Sequence, residues 1–171
     1  MKPPWLYEAS VPVLLRYLDS LDRVLDAVDA LPPARAAQVL HARLAPDMLP
    51  FARQVETAAY FTLRTACPLA GRAVPPFVAA APTLAGLRER VEAARTLLRS
   101  LAASEFADAG TRVLSEHAGE ALVELPAARF LAEYALPNFF FHLGMAYAIS
   151  RQQGCALGKA AYDGFHVYPG C

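Results

Sequence analysis

The sequence carries no excess of charge of either sign. Sixteen Lys and Arg residues balance sixteen Asp and Glu residues in a chain of 171 residues, and the two signs alternate without long runs of one kind. Proteins that bind nucleic acid or an anionic membrane surface usually present a strongly positive face. We therefore expect neither nucleic acid nor a membrane among the partners.

Long apolar runs and cysteines are scarce as well. The most apolar segment, residues 74–85, is interrupted by three prolines, which excludes a membrane-spanning helix there. The first residues lack the apolar run and the cleavage site of a signal peptide. Cys67, Cys155 and Cys171 form no CxxC pair, and three cysteines suit free thiols in a reducing compartment. We expect a cytoplasmic protein.

Familiar catalytic signatures are missing too. The chain has no Walker A loop, no GxGxxG, no HExxH, no GxSxG and no EF-hand loop. What it has in abundance is apolar residues, 56% of the chain, and much of this fraction is alanine, which favours helix and close helix packing. The composition predicts a helical domain, and the missing signatures exclude several large enzyme classes.

Apolar residues recur every three or four positions in four long segments, which predicts amphipathic helices. A residue that can cap a helix N-terminus precedes three of the segments, namely Ser10, Asp47 and Thr83. The predicted helices span roughly residues 11–30, 47–67, 83–103 and 127–153. Four such helices predict one all-α domain over residues 1–171, folded as an antiparallel four-helix bundle.

The segments between these helices are shorter and less regular. Residues 34–41 predict a short connecting helix, and the proline-rich residues 71–82 predict a loop that crosses the bundle. Residues 110–124 are compatible with a small β-hairpin or with an ordered loop. Leu136-Pro137 predicts an interruption or kink in the last helix. Residues 154–171 predict an irregular tail.

The candidate site residues are polar side chains on apolar helix faces. Asn138 and His142 lie one helical turn apart on the apolar stripe of the last helix, so both are expected to point into the bundle. Gln54 and Asp47 share a face of the second predicted helix and are the candidate partners. A buried polar group without a partner costs about 1–3 kcal/mol, so the four residues are expected to pair or to meet a ligand.

Two interpretations of these four residues remain open. They form a hydrogen-bond network that fixes the register of the helices, or they line a pocket for a ligand or a metal between helices. A single histidine in a core is more often structural than catalytic, which favours the network.

Several motifs resemble a bacterial family of domains of unknown function. They are ARLAPDMLPFARQVETA at 42–58, LPNFFFHLGMAYAISRQQG at 136–154 and LGKAAYDG at 157–164, and YEASVPVLLRYL at 7–18 resembles the first helix of that family. The family is grouped with the DinB/YfiT-like bundles. The resemblance implies an up-down-down-up bundle, a long crossing loop between the second and third helices, and a homodimer. Ala161 departs from the family pattern, which has an acidic residue there.

The resemblance also bears on metal binding. Metal-binding members of the wider superfamily use one histidine on the second helix and an HxxxH pair on the last, with an arginine nine residues after the pair. His142 and Arg151 match that spacing, whereas Asn138 replaces the first histidine of the pair. Gln54 or Asp47 would have to replace the histidine of the second helix. Zinc sites need three or four His, Cys or carboxylate ligands, so we expect no metal and no cofactor.

Three functions follow from these observations. The leading hypothesis is a bundle that binds a small, largely apolar ligand or a partner and lacks a complete catalytic metal site. The alternative is a metal-dependent transferase that acts on a low-molecular-weight thiol, as the superfamily resemblance implies. The third is a purely structural dimeric module. Three consecutive phenylalanines, residues 139–141, point in different directions around one helix, so at least one is expected to meet the crossing loop or a second subunit.

Overall fold

The structure, a computed structural model, describes residues 4–166 and is mostly helical. Besides its α-helices, the chain has a π-helical segment, Phe130–Ala135, and two short 3-10 turns, Ala103–Phe106 and Ala109–Thr111. The helices are α1 Trp5–Glu8, α2 Val11–Asp29, α3 Pro33–His41, α4 Phe51–Ala70, α5 Leu84–Arg99, α6 Ala127–Arg129, α7 Leu136–Gln152 and α8 Lys159–Asp163.

Two antiparallel strands form a hairpin between α5 and α6. Strand β1 is Val113–Ala118 and β2 is Ala121–Pro126, with Val113 opposite Pro126. Gly119, in the turn, has a φ of +62°, a conformation that glycine adopts without steric cost. The hairpin alternative is confirmed, and the prediction of an all-α chain is wrong in this one segment.

The start of α4 differs from the prediction. The sequence predicts a helix from Asp47 with that residue as its cap, but α4 begins at Phe51 and Pro50 occupies the cap position in an extended conformation. The Phe51 N–H donates to the Ala42 carbonyl at 2.9 Å. The residue before a proline disfavours the helical conformation, so the chain stays non-helical through Leu49. The cap predicted at Thr83 is confirmed by its bond to the Gly86 N–H at 3.1 Å.

The ends of the other predicted helices also shift. The third predicted helix ends at Arg99; residues 100–102 are not helical, and a 3-10 turn, Ala103–Phe106, follows them. The last predicted helix is divided into α6 and α7, which the π-helical segment connects directly before Leu136-Pro137. Since the proline ring clashes with the carbonyl four residues earlier, widening the preceding turn accommodates it. The tail contains α8, and its final residues 167–171, with Cys171, lie outside the described residues.

The four long helices surround one apolar core. Helix α2 packs on α5 and α7, and α4 packs on the same two helices. Between α2 and α5, the buried Arg95 pairs with Asp19 and Asp22, and the more exposed Arg88 pairs with Asp26 at 2.8 Å. In the described part of the chain, no helix is long and apolar enough to cross a bilayer.

Residues 72–83, called the strap here, run back along α4 towards α5. The Tyr60 hydroxyl donates to the Pro75 carbonyl at 2.9 Å, and the Ala80 N–H donates to Glu56 Oε1 at 2.5 Å. Where the strap meets α5 the fit is tight. A Cβ atom added to Gly86 would lie 2.5 Å from the Ala81 carbonyl oxygen, so only glycine allows this contact.

We expect Gly86→Ala to destabilise the fold by about 1–3 kcal/mol, because the added methyl group collides with the strap backbone. The matched control is Gly144→Ala in α7, where an added Cβ meets no atom within 4 Å. That variant should gain about 0.5–1 kcal/mol from helix propensity. Urea unfolding followed by circular dichroism measures both values. Equal stability of the two variants would contradict the contact between strap and α5.

Candidate functional site

A hydrogen bond between Gln54 and His142 connects α4 to α7. The Gln54 side chain is 1% exposed; its Nε2 donates to the Leu49 carbonyl at 3.2 Å, and its Oε1 lies 2.8 Å from His142 Nδ1. A carboxamide oxygen can only accept, so Nδ1 carries the proton in this bond. In the neutral ring, Nε2 is then left as a hydrogen-bond acceptor.

Two aromatic rings flank the imidazole of His142. The Phe61 ring lies nearly parallel to it, with centroids 5.6 Å apart and an angle of 22°, and the Phe141 ring meets it edge-on at 5.2 Å. Phe141 is 51% exposed, whereas His142 is half-buried. The exposed Phe141 ring, the half-buried His142 ring and the buried Phe61 ring stacked on it are called the His142 face here.

The His142 ring is held in its neutral form. Burial, and to a smaller extent the positive charge of Arg64, lowers the pKa of His142 from 6.5 to about 4. Both causes act against the charged imidazolium. At neutral pH, Nε2 is therefore an unprotonated acceptor.

Arg64 ties the hairpin to the bundle beside the His142 face. Its guanidinium lies 3.1 Å from a Glu116 carboxylate oxygen and donates to the His117 carbonyl at 2.8 Å and the Tyr134 hydroxyl at 3.0 Å. It also stands 4.4 Å from the Phe61 ring centroid. Sequence reasoning missed this cluster, because its members come from α4, the hairpin and the π-helical segment, and only the fold brings them together.

Asn138 and Asp47 do not join the pair of Gln54 and His142. Asn138 is half-buried, and its Nδ2 donates at 2.7 Å to the carbonyl of Tyr134 in the π-helical segment. Asp47 is exposed in the turn before α4. The sequence therefore predicts two residues of the observed contact together with two neighbours that lie outside it.

The donor set does not fit a metal ion. Within residues 4–166, no group of three His, Cys, Asp or Glu side chains is close enough to hold one. His142 contributes one nitrogen, and the Asn138 amide is already bonded to the backbone. Four surface cavities of about 250–380 Å³ lie elsewhere in the described chain, and Gln54, Asn138 and His142 line none of these four.

We expect an NMR titration of the His142 ring to give a pKa of about 4. Arg64→Gln should raise that pKa without restoring 6.5, because burial remains the larger cause. The exposed Arg129→Gln, which breaks only a surface pair with Glu133, should leave it unchanged.

The pKa of His142 is lower in the folded protein than in the unfolded chain. The free energy of unfolding should therefore decrease as the pH falls from 6.5 to about 4. An ordinary pKa in wild type would contradict the burial of this ring.

Comparisons with known proteins agree with the fold. The family model described as "Domain of unknown function (DUF1993)" matches residues 6–163. A crystal structure of a DinB family member from Shewanella denitrificans is 30% identical, covers 96% of this chain and 94% of its own, and superimposes with a TM-score of 0.86. No curated protein matches. The resemblance drawn from the motifs is confirmed: the chain belongs to the DUF1993 family and has a DinB-like fold.

Proposed function

We propose that this protein binds a small, uncharged ring compound at the His142 face. The observation that carries the proposal is the bond from His142 Nδ1 to Gln54, which orients a neutral imidazole and leaves Nε2 as a single acceptor. A ligand with one hydroxyl or N–H group would donate to this nitrogen. The exposed ring of Phe141 would contact its apolar part, and the buried Phe61 ring would hold the imidazole from behind.

The charges around the His142 face favour an uncharged ligand. Arg64 is the nearest cation, and its charge is balanced by Glu116. A charged ligand would therefore lose hydration without gaining an ionic partner. The shape of the surface also matters: the contact is open on the side of Phe141, which suits a small ring that stacks at the rim of the bundle.

Phenol is the probe that tests this proposal, with toluene as its control, because toluene keeps the ring and lacks the donor. In ¹H–¹⁵N and ¹H–¹³C spectra, phenol should shift the signals of His142 and Phe141 saturably. Toluene should bind at least about fivefold more weakly, as expected for the loss of one hydrogen bond of about 1 kcal/mol.

Two variants separate the ring nitrogens. His142→Asn keeps a donor near Gln54 Oε1 and removes Nε2, so it should fold normally and no longer prefer phenol over toluene. His142→Leu removes the donor at the Nδ1 position and should instead cost stability, since Gln54 Oε1 is then buried without a partner. Wild-type protein that binds neither probe at the His142 face would leave the purely structural module as the better hypothesis.

The metal-dependent thiol transferase remains the alternative function. Its support is the superfamily spacing of His142 and Arg151, and its weakness is the incomplete donor set around His142 in the described residues. Elemental analysis of protein purified without a histidine tag should find no stoichiometric zinc or nickel. About one metal per chain, lost on His142→Ala, would replace the binding proposal with the transferase.

We infer a homodimer that uses the outward side of α7. Support comes from the composition of this helix, which has no charged residue from 136 to 150 and exposes Pro137 and Phe141. A dimer that covers Phe141 would compete with the ligand for that ring. A helix that is apolar on all sides usually has a second partner, and an uncharged surface can face its own copy across a two-fold axis without repulsion. Light scattering that gives the mass of one chain at micromolar concentration would refute the dimer.

We also infer the up-down-down-up course of the four long helices. Its first support is the order of contacts between α2 and α5. Asp26, near the end of α2, pairs with Arg88, near the start of α5. Asp19, earlier in α2, pairs with Arg95, later in α5, as in antiparallel helices. The second support comes from α4 and α7. Gln54, near the start of α4, bonds to His142 within α7, and Phe61, further along α4, contacts Tyr134, which lies before α7. This order also describes antiparallel helices.

The strap supports the parallel pair in the middle of this course. Pro75 contacts Tyr60 and Ala80 contacts Glu56, so the strap returns towards the start of α4 before α5 begins.

A cytoplasmic location is also part of the proposal, supported by the buried free thiols of Cys67 and Cys155. Cell fractionation tests the location, and a crystal structure tests the course of the helices.

A further inference from the structure

Arg90 of α5 has no anionic partner among residues 4–166. Its guanidinium lies beneath the strap, 4.9 Å from the centroid of the Phe77 ring and 5.8 Å from that of Tyr60. The Nε and Nη2 atoms are enclosed by protein, and neither has a hydrogen-bond partner in the described chain.

The aromatic rings account for only part of this environment. The face of an aromatic ring attracts a cation, but it does not neutralise the charge. Buried N–H groups without a partner are rare in native proteins, because each one loses its bonds to water without replacement. An enclosed guanidinium of this kind is therefore suited to receive an anionic acceptor.

The ion pair next to Arg90 does not include it. Arg53 also faces the Phe77 ring, at 5.0 Å, but its guanidinium pairs with Glu56 at 2.7 Å. The other oxygen of Glu56 accepts the Ala80 N–H of the strap. Both oxygens of Glu56 are therefore engaged by Arg53 and by the strap, and Arg90 forms no ion pair within the described residues.

A cavity of about 260 Å³ opens beside Arg90. The strap residues 78–81 form one wall, and the other is formed by α5 residues Gly86, Glu89, Arg90 and Ala93. Glu89 is exposed at the rim. The volume exceeds the roughly 30 Å³ that one water molecule occupies, so the cavity has room for a small organic ion.

We propose that this cavity is a binding site for a small monocarboxylate, held by Arg90. A guanidinium presents donors in the geometry that a carboxylate accepts, and a monocarboxylate would supply the acceptor oxygens that Arg90 Nε and Nη2 lack within the described chain. The rim carboxylate of Glu89 disfavours a dianion such as phosphate by repulsion. The bound carboxylate would also connect the strap to α5.

Acetate is the probe for this site, titrated into ¹⁵N-labelled protein at constant ionic strength, with chloride as the exchanged anion. We expect saturable shifts of the amide signals of residues 78–81 and of α5 near Arg90. Arg90→Gln should abolish these shifts. The matched control Arg99→Gln removes an exposed guanidinium from the same helix and should leave them intact. Phosphate should bind more weakly than acetate.

A second variant keeps the test valid if Arg90→Gln does not fold. Glu89→Gln removes the repulsive charge at the rim, so acetate should bind roughly two- to threefold more tightly and phosphate should gain more than acetate does. A purely structural role of Arg90 against the two rings predicts no such change. The proposal is overturned if acetate shifts do not saturate, if they persist unchanged in Arg90→Gln, or if Glu89→Gln leaves both affinities unaltered.

Discussion

A buried carboxamide must find partners on the inside of a helical bundle, and the partners of Gln54 determine how α4 meets α7. Its Nε2 donates to the Leu49 carbonyl, and its Oε1 accepts a hydrogen bond from the Nδ1–H of His142. An unpaired carboxamide at this depth would cost about 1–3 kcal/mol. The same bond that fixes the two helices therefore fixes the tautomer of His142 and gives its surface nitrogen a defined chemistry.

Arginines connect the remaining pieces to this frame. Arg64 joins the hairpin to α4, Arg95 joins α5 to α2, and Arg23 reaches the Ala161 carbonyl of α8 from α2. A planar guanidinium can bond several groups from different elements at once, which suits a chain whose short elements bury little apolar surface of their own. Arg90 is the exception to this pattern, since its charge has no partner within the described chain.

The sequence predicts what depends on periodicity, and it fails where one hydrogen bond decides. Ser10 precedes α2 as predicted, but its hydroxyl donates to the Leu6 carbonyl and does not cap the helix. The four long helices, the connector α3 and the Thr83 cap all follow from local patterns. Asp47 is not the cap that its residue type predicts, because the bond from Phe51 to Ala42 starts α4 later. The pairing of Gln54 with His142 follows from helical faces, but the place of Asn138 does not, because the π-helical segment changes the turn that precedes α7.

One measurement tests the central claim most directly: the long-range ¹H–¹⁵N correlation spectrum of the His142 ring at neutral pH, in which the two ring nitrogens are distinguished. The account predicts a neutral ring with its proton on Nδ1, engaged with Gln54 Oε1, and an unprotonated Nε2. Gln54→Leu should weaken that preference, because it removes the acceptor. A ring that is protonated on Nε2, or charged at this pH, would contradict the account.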